Sequence, residues 1–438
     1  MSTTETLLLP DLEHAASLCA LPQHERFARY NQALKAAVAQ GKTYPVALLD
    51  LAAVRCNAAD LVRRAEGVPI RIASKSLRVP SIISAILALD GFSGVLAYSL
   101  GEAIELVRSG VTDDAVVGYP VLDSAQLTVL HSDPELLQKI TLMVDRPEQL
   151  TPILAARTMA ASGIGSDAAN ELPATRICLD VDCSLRFSRL VHIGARRSAI
   201  RTVRDAVAAA THIAGVPGLK LVGIMGYEAQ IAGVTDSSLV VRQMKRVSVR
   251  ELSKRRTEIV RAVRKALAAQ GAPDLEFVNG GGTGSFETTR AETEVTELAA
   301  GSGLFGPHLF DGYDAFKPQP AAFFATQVTR KPTPNIVTVH GGGWVASGAA
   351  GADRLPKPVW PRGLAVTDLE GAGEVQTPLR VRARAGATGT PEIGSPVWWR
   401  HTKAGELAEH VNEFWALGTD LENLHRLLTY RGEGAAFL

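Results

Sequence analysis

The sequence predicts an α/β protein, a (β/α)8 TIM-like barrel with a second, mostly β C-terminal domain. Short apolar runs alternate with longer amphipathic segments from Val46 onward, and eight such runs precede residue 320. Glycine, proline, valine and threonine then dominate the composition. An open, doubly wound sheet would give the same alternation, so the count of eight is what favours the barrel.

A helical arm is predicted over residues 1–44, because leucine, alanine and phenylalanine recur at helical spacing until Gly41 and Pro45. The barrel is predicted over residues 45–320, with crossover helices such as Leu51–Ala65 between its strands. The eight predicted strands are 46–50, 70–74, 94–98, 115–118, 140–144, 176–182, 219–225 and 275–279. Residues 321–438 form the predicted C-terminal domain, which is mostly β with a terminal helix.

Composition excludes several classes of protein. A formal net charge of +1 with interspersed acids and bases gives no basic face for nucleic acid. No apolar stretch approaches the roughly 20 residues of a membrane helix, and the N-terminus lacks the basic start of a secretory signal, so we expect a cytoplasmic protein. The four cysteines show no Cys-x-x-Cys spacing and are expected to be reduced thiols.

Lys75 follows an apolar run, Val68–Ala73, and is flanked by serines before Pro80 opens the next helix. In a parallel barrel, the strand ends that lead into helices form the active-site face, so a lysine there can reach a bound cofactor. The alternative is an ordinary solvated surface lysine.

A glycine-rich loop, residues 279–285 (Asn-Gly-Gly-Gly-Thr-Gly-Ser), directly follows a strand-like run. Such a loop can turn successive amides toward a phosphate, and the hydroxyls of Thr283 and Ser285 can add donors. A plain tight turn would use the same residues. The position late in the barrel favours a phosphate site.

Two further side chains follow predicted strands at the same face. Arg186 could bond a phenolate oxygen or a substrate carboxylate, or form a structural ion pair with Asp180 or Asp182. Tyr227, beside Glu228, lies just past the strand 219–225 and offers a ring and a hydroxyl.

These motifs resemble, in order, those of the D-threonine aldolase and D-serine dehydratase-like family, pyridoxal-phosphate enzymes of the alanine-racemase fold group. The likeness runs from about Tyr44 to Phe414. The segment Arg71–Ser76 resembles the family's Arg-Pro-His-x-Lys-Thr, whose lysine forms the Schiff base with the cofactor. The resemblance therefore implies that Lys75 takes that role and that Arg71 lies at the cofactor.

The other motifs imply further roles. Asp182–Arg186 is similar to the family's Asp-x-Gly-x-x-Arg, which implies that Arg186 faces the phenolic oxygen of the cofactor. Tyr227 belongs to a segment similar to the family's Tyr-Glu-Gly-His, which lines the pocket. The residues that resemble the phosphate cup are Gly281, Gly282, Thr283 and Gly284.

One motif departs from the family, which holds a divalent metal with a His-x-Cys or His-x-Asp pair late in the second domain. The corresponding residues here are His401 and Lys403. A protonated amine cannot ligate a metal, so we expect no metal here. We expect the charge of Lys403, with His401, to bind the substrate hydroxyl or carboxylate instead. The alternative is a solvated helix start.

The resemblance implies a homodimeric lyase that acts on β-hydroxy D-amino acids through Lys75, by aldol cleavage or by dehydration and deamination. An amino-acid racemase is the alternative within the same fold group. A serine hydrolase would use the His-Gly-Gly-Gly-Trp motif at His340 and the serine Ser99, but their order in the chain is reversed from that class. A protein that carries the cofactor without activity is a further alternative. Such carriers consist of the barrel alone, and the large second domain predicted here counts against it.

Overall fold

The structure is a computed structural model, and it describes residues 7–164, 172–187, 191–382, 390–420 and 424–437. Strands are numbered in chain order. They are β1 Val46–Asp50, β2 Ile70–Ala73, β3 Phe92–Ala97, β4 Ala115–Val117, β5 Ile140–Val144, β6 Thr175–Asp180, β7 Leu185–Arg186, β8 His192–Ile193, β9 Leu219–Gly226, β10 Phe277–Gly280, β11 Glu297–Ala300, β12 Ala322–Thr333, β13 Ile336–His340, β14 Lys357–Trp360, β15 Leu364–Val366, β16 Gln376–Val381, β17 Pro396–Arg400, β18 Glu413–Leu417 and β19 Leu424–Leu428.

The α-helices are numbered in the same way. They are α1 Leu12–Cys19, α2 Gln23–Ala39, α3 Leu51–Ala65, α4 Pro80–Leu87, α5 Leu100–Arg108, α6 Ser124–His131, α7 Pro134–Lys139, α8 Leu150–Ile164, α9 Val203–Ala214, α10 Ala229–Ala232, α11 Leu239–Ala269, α12 Phe286–Thr289, α13 Ser302–Phe305 and α14 Glu406–His410. Short 3-10 turns lie at Ser74–Ser76, Pro147–Gln149, His308–Gly312 and Ala352–Arg354.

Eight strands close into a barrel in the order β10-β11-β2-β3-β4-β5-β6-β9, and each neighbouring pair is parallel. The predicted barrel is therefore confirmed. Strands such as β5 are buried along their whole length. Both faces are covered, since one packs inside the barrel and the other against helices, which is why these strands appear in the sequence as continuous apolar runs.

Two strand assignments made from the sequence were wrong. The run Val46–Asp50 lies outside the barrel, where it pairs antiparallel with β12 and parallel with β18. The eighth barrel strand is instead Glu297–Ala300, which was missed. Its sequence, Glu-Leu-Ala-Ala, contains no β-branched or aromatic residue, so local propensity gives no strand signal and the parallel pairing on both sides defines it.

The chain divides into two compact units. The barrel unit comprises Val62–Lys75, Ile86–Gly301 and Phe437–Leu438, and the sheet unit comprises Met1–Leu61, Ser76–Ala85 and Ser302–Ala436. The boundaries of the three segments expected from the sequence stay a prediction.

The sheet unit contains a nine-stranded sheet with the path β15-β16-β13-β12-β1-β18-β19, and β17 pairs with both β12 and β14. Phe27 and Tyr30 of α2 pack in its core with Trp398. The described chain ends in β19 and turns, in place of the terminal helix expected from the sequence. No helix among the described residues combines the length and the apolar character that membrane crossing requires.

Candidate active site

Lys75 stands at the carboxyl end of β2, on the 3-10 turn Ser74–Ser76. The neighbouring Ser74 is fully buried, and its hydroxyl donates to the carbonyl of Leu96 on β3 at 3.1 Å. The side chain of Lys75 itself is exposed. A rigid, buried neighbour therefore anchors the turn, while the amine stays accessible at the face where barrel enzymes place their active sites.

The glycine-rich loop leaves the carboxyl end of β10, which is separated from β2 by β11 alone. Gly281 has φ +87°, and a Cβ on Gly282 would lie 3.0 Å from Ala232 and 3.2 Å from the ring of Tyr227. The amide of Gly282 donates to the Ser285 hydroxyl at 3.2 Å. Glycine is thus required by both the turn and the close approach. A glycine turn at the end of a strand can present backbone amides to a phosphate group.

The loop is also held from outside. Arg64 donates to the carbonyl of Thr283 at 2.7 Å and pairs with Glu287 at 2.6 Å. The Arg64 side chain is 3% exposed. A buried guanidinium therefore joins the loop to the helix that follows it, which limits movement of the cradle.

Tyr227 and Tyr119 flank a guanidinium that the sequence did not indicate. The Cζ atom of Arg197 lies 5.6 Å from the ring centroid of Tyr119 and 5.7 Å from that of Tyr227, a distance at which cations bind aromatic faces. Burial, reinforced by the neighbouring Glu228, raises the pKa of Tyr227 to about 12, so its hydroxyl keeps its proton. Arg197 follows no strand directly and belongs to none of the motifs singled out, so the sequence carried no local signal for it.

Arg186 lies in the short hairpin β7-β8. It donates to Asp182 at 2.5 Å, and its side chain is 40% exposed. Arg201 also contacts Asp182, at 3.4 Å. Arg186 thus forms an ion pair with Asp182, which the sequence analysis gave as the alternative to a role at the cofactor.

Arg71 lies inside the barrel. It donates to both oxygens of Glu297, at 2.8 and 2.9 Å, and to Asp114 at 2.7 Å. Asn279 donates to Glu297 at 2.9 Å. Burial alone would lower the pKa of Arg71, but the two carboxylates raise it above its usual value. The two carboxylates therefore keep the guanidinium charged.

A carboxyl group that the sequence analysis did not select stands at the same end of the barrel. Asp180 is the last residue of β6 and shares a strand face with Cys178, which packs inside the barrel with Met143 and Phe277. Burial raises the pKa of Asp180 to about 7, with Asp145 adding to the effect. The group can therefore accept or release a proton near neutral pH.

Beneath the glycine-rich loop, Arg256 of α11 lies between two buried carboxylates. It donates to Glu228 at 3.0 Å and to Glu292 at 2.9 Å. Glu228 in turn accepts from Ser285 at 3.1 Å and from Thr289 in a short hydrogen bond. Burial raises the pKa of Glu292 to about 7. Arg256 lowers this pKa, and Glu228 raises it.

His401 and Lys403 belong to the sheet unit, just after β17. His401 is fully buried, and burial, with the charge of Arg400, lowers its pKa to about 3, so the imidazole is neutral. Lys403 donates to the carbonyl of Ser347 at 2.6 Å. No group of three or more histidine, cysteine or acidic side chains within the described ranges could hold a metal ion. Lys403, whose amine cannot ligate a metal while it is protonated, occupies the second position of the pair.

The sequence model of the family "Alanine racemase, N-terminal domain" matches residues 49–308. The chain belongs to this family, which is that of the fold type III pyridoxal-phosphate enzymes.

Curated relatives are lyases of D-amino acids. The chain is 25% identical to a D-threonine aldolase of Arthrobacter sp over 305 residues, 68% of this chain and 71% of the relative. It is 26% identical to a 3-hydroxy-D-aspartate aldolase of Paracoccus denitrificans over 309 residues, with the same coverage of each.

Solved structures with the same fold cover 89% of this chain. D-threonine aldolase from Filomicrobium marinum superposes with a TM-score of 0.70 at 20% identity, over 95% of its own length. D-threo-3-hydroxyaspartate dehydratase from Delftia sp. HT23 gives 0.64 at 18% identity, over 97% of its length. Alanine racemase from Clostridium difficile 630, in complex with cycloserine, gives 0.59 at 14% identity, over 99% of its length, and all three likenesses concern the fold.

Proposed function

We propose that this protein is a pyridoxal-phosphate-dependent lyase that acts on β-hydroxy D-amino acids. The observation that carries the proposal is the pairing of an accessible lysine at the end of β2 with a glycine cradle at the end of β10 in one closed barrel. The names of the curated relatives support the substrate class.

In this proposal Lys75 holds the aldehyde carbon of the cofactor, and Gly281–Gly284 hold its phosphate. When bound, pyridoxal phosphate supplies an electron sink for the pair left when a bond to the substrate Cα breaks. The Tyr227 ring packs against the cradle at Gly282 and supports the position of the cofactor. We propose that Arg71 also contributes to the cofactor site, from the barrel interior, where Asp114 and Glu297 compensate its charge.

Two arginines are candidates to bind the phenolic oxygen of the cofactor. Arg186 is engaged by Asp182, whereas the Arg197 guanidinium stacks between Tyr119 and Tyr227. We therefore assign the interaction with the phenolic oxygen to Arg197 and a structural ion pair to Arg186.

Proton transfer is assigned to two groups of the barrel unit. The Lys75 amine takes or returns the proton at the substrate Cα. In aldol cleavage the Asp180 carboxyl, whose pKa is raised to about 7, takes the proton of the substrate β-hydroxyl, and in dehydration its protonated form gives a proton to the departing hydroxide. The role expected of Lys403 and His401, to bind the substrate hydroxyl or carboxylate, stays a prediction, and no step assigned to the barrel residues requires a divalent metal.

Assembly and compartment are part of the same proposal. We propose a cytoplasmic homodimer. The four cysteines are unpaired thiols, the state that a reducing compartment maintains. Light scattering coupled to gel filtration tests the dimer, and a monomeric mass at micromolar concentration would refute it.

An enantiomer-resolved assay of the holoenzyme tests the function. D-threonine yields glycine and acetaldehyde by aldol cleavage, and D-3-hydroxyaspartate yields oxaloacetate and ammonia by dehydration and deamination. Formation of L-alanine from D-alanine at a higher rate would favour the racemase alternative, as the name of the matching family does. Activity that persists in Lys75→Ala, with Lys75→Arg as the charge-retaining control, would overturn the proposal.

A further inference from the structure

The buried cluster beneath the glycine-rich loop comprises Glu228, Arg256 and Glu292. It contacts the cradle on two sides. Ser285 and Thr289 both donate hydroxyl protons to Oε1 of Glu228. A Cβ on Gly280 would lie 3.0 Å from Nη1 of Arg256. The cluster therefore forms the inner wall of the loop.

The Ser285 hydroxyl lies between Glu228 and Gly282, and its shortest donor contact is with Glu228, since its contact with the Gly282 carbonyl is longer, at 3.4 Å. The hydroxyl donates to Glu228 at 3.1 Å, which leaves its lone pairs to accept the amide of Gly282 at 3.2 Å. A hydroxyl that donates to a carboxylate is fixed in orientation and is a stronger acceptor. The carboxylate thus determines where the Gly282 amide points.

The charges of the cluster do not balance if both acids are ionised. Arg256 contributes one positive charge, and Glu228 and Glu292 contribute two negative ones. Oε2 of Glu292 is buried with no hydrogen-bond partner among the described residues, an arrangement that penalises an ionised carboxylate. A net negative charge beneath a phosphate dianion would also repel it.

We propose that Glu228 is a positioning residue for the cofactor phosphate. Clamped by Arg256, it fixes the Ser285 hydroxyl and the Gly282 amide, within a cluster that stays neutral because Glu292 holds a proton. The inference rests on the proposed cofactor site and adds to it the residues that shape the phosphate cradle.

The groups that face Glu292 support this protonation. Arg256 comes from α11 and Glu228 from the end of β9, and burial raises the pKa of Glu292 to about 7. Cys183, 3.7 Å from Arg256, has its pKa raised to about 12 by burial and stays a neutral thiol. A bound dianion favours the protonated acid further. The affinity for the phosphate is therefore highest below about pH 7 and declines as the pH rises above that value.

The experiment compares the affinity of apoprotein for pyridoxal 5'-phosphate with its affinity for pyridoxal, by fluorescence titration. Pyridoxal has the same aldehyde and no phosphate, so it reports on Lys75 without the cradle. For Glu228→Gln, whose amide would point a donor at Arg256, we expect affinity for the phosphorylated form to fall at least about tenfold and affinity for pyridoxal to change less than about twofold. Equal losses for both ligands would mean a merely structural role and would overturn the inference.

Two further variants keep the inference testable if Glu228→Gln does not fold. Ser285→Ala removes the hydroxyl between Glu228 and Gly282 and should give the same selective loss. Glu292→Gln mimics the protonated acid. We expect its ratio of affinities for the two ligands to stay constant from about pH 6 to about pH 8.5, while the wild-type ratio falls above about pH 7.

Parallel pH dependence in the wild type and Glu292→Gln would overturn the assigned proton. If the wild-type apoprotein binds neither ligand, the proposed function fails as a whole. If the wild type and all variants bind pyridoxal and pyridoxal phosphate equally well, the phosphate role of the loop and this inference are both wrong. The role of Lys75 would not be affected by that result.

Discussion

Arg256→Met is the substitution whose cost to stability the structure defines best. The side chain of Arg256 is 3% exposed and that of Glu228 is 1% exposed, and the second partner, Glu292, is 6% exposed. Methionine fills most of the volume but leaves two acids without their shared cation. Breaking a buried ion pair from one side costs roughly 3–5 kcal/mol, and we expect a loss of that size in the free energy of unfolding at pH 8.

The pH dependence of this loss is a separate check. Removing the guanidinium raises the pKa of Glu292 above its value of about 7, because Arg256 is the group that lowers it. At pH 6 the acid is protonated with or without Arg256. The cost of the substitution should therefore be smaller at pH 6 than at pH 8.

The assay is urea denaturation of both proteins at the two pH values, followed by circular dichroism. Arg261→Met is the matched control, since it lies on the same helix, pairs with Glu294 at 2.8 Å and is 65% exposed. Arg261 is exposed, and the largely buried Glu294 keeps a second partner, Arg264, at 2.8 Å, so we expect Arg261→Met to cost less than about 1 kcal/mol. If the two variants lose the same stability at both pH values, the buried cluster does not carry the energy assigned to it.

Three further predictions concern the site. Gly282→Ala should weaken pyridoxal-phosphate retention about tenfold or more on ultrafiltration, because its Cβ would press on Ala232 and the Tyr227 ring and shift the loop. Gly418→Ala, with open space around it, should leave retention unchanged; equal retention in the two variants would show that the loop does not hold phosphate. Arg197→Met should reduce kcat/KM roughly a hundredfold and Arg186→Met less than about threefold, and the opposite order would return the catalytic role to Arg186. We expect the kcat of the wild type to rise as the pH passes about 7 and Asp180→Asn to remove that rise, and a variant that keeps the rise would exclude this carboxyl as the base.

The barrel could be predicted from the sequence because its strands are buried on both faces. The run Ile140–Val144, for example, is apolar throughout and gives a local signal. The strand Glu297–Ala300 could not be predicted, since its position depends on parallel pairing with β10 and β2. Val46–Asp50 has an equally strong β signal, but nothing local distinguishes a barrel strand from one that pairs antiparallel with β12.

Some residues of the site could be predicted from the sequence, and others could not. Lys75 and the glycine-rich loop were visible because each is a short motif directly after a strand. Arg197 was not, because its environment consists of Tyr119 and Tyr227, which come from distant strand ends. The cluster around Arg256 joins a helix to two loops. Contacts between residues so far apart in the chain cannot be predicted from the spacing of residues in the sequence.

The most direct test of the central claim is peptide mapping after borohydride reduction of the protein loaded with pyridoxal phosphate. Reduction fixes the bond between the lysine and the cofactor, so mass spectrometry identifies the modified residue. We expect a single modified peptide that contains Lys75. Modification of another lysine, or no stoichiometric modification at all, would contradict the assignment of the site.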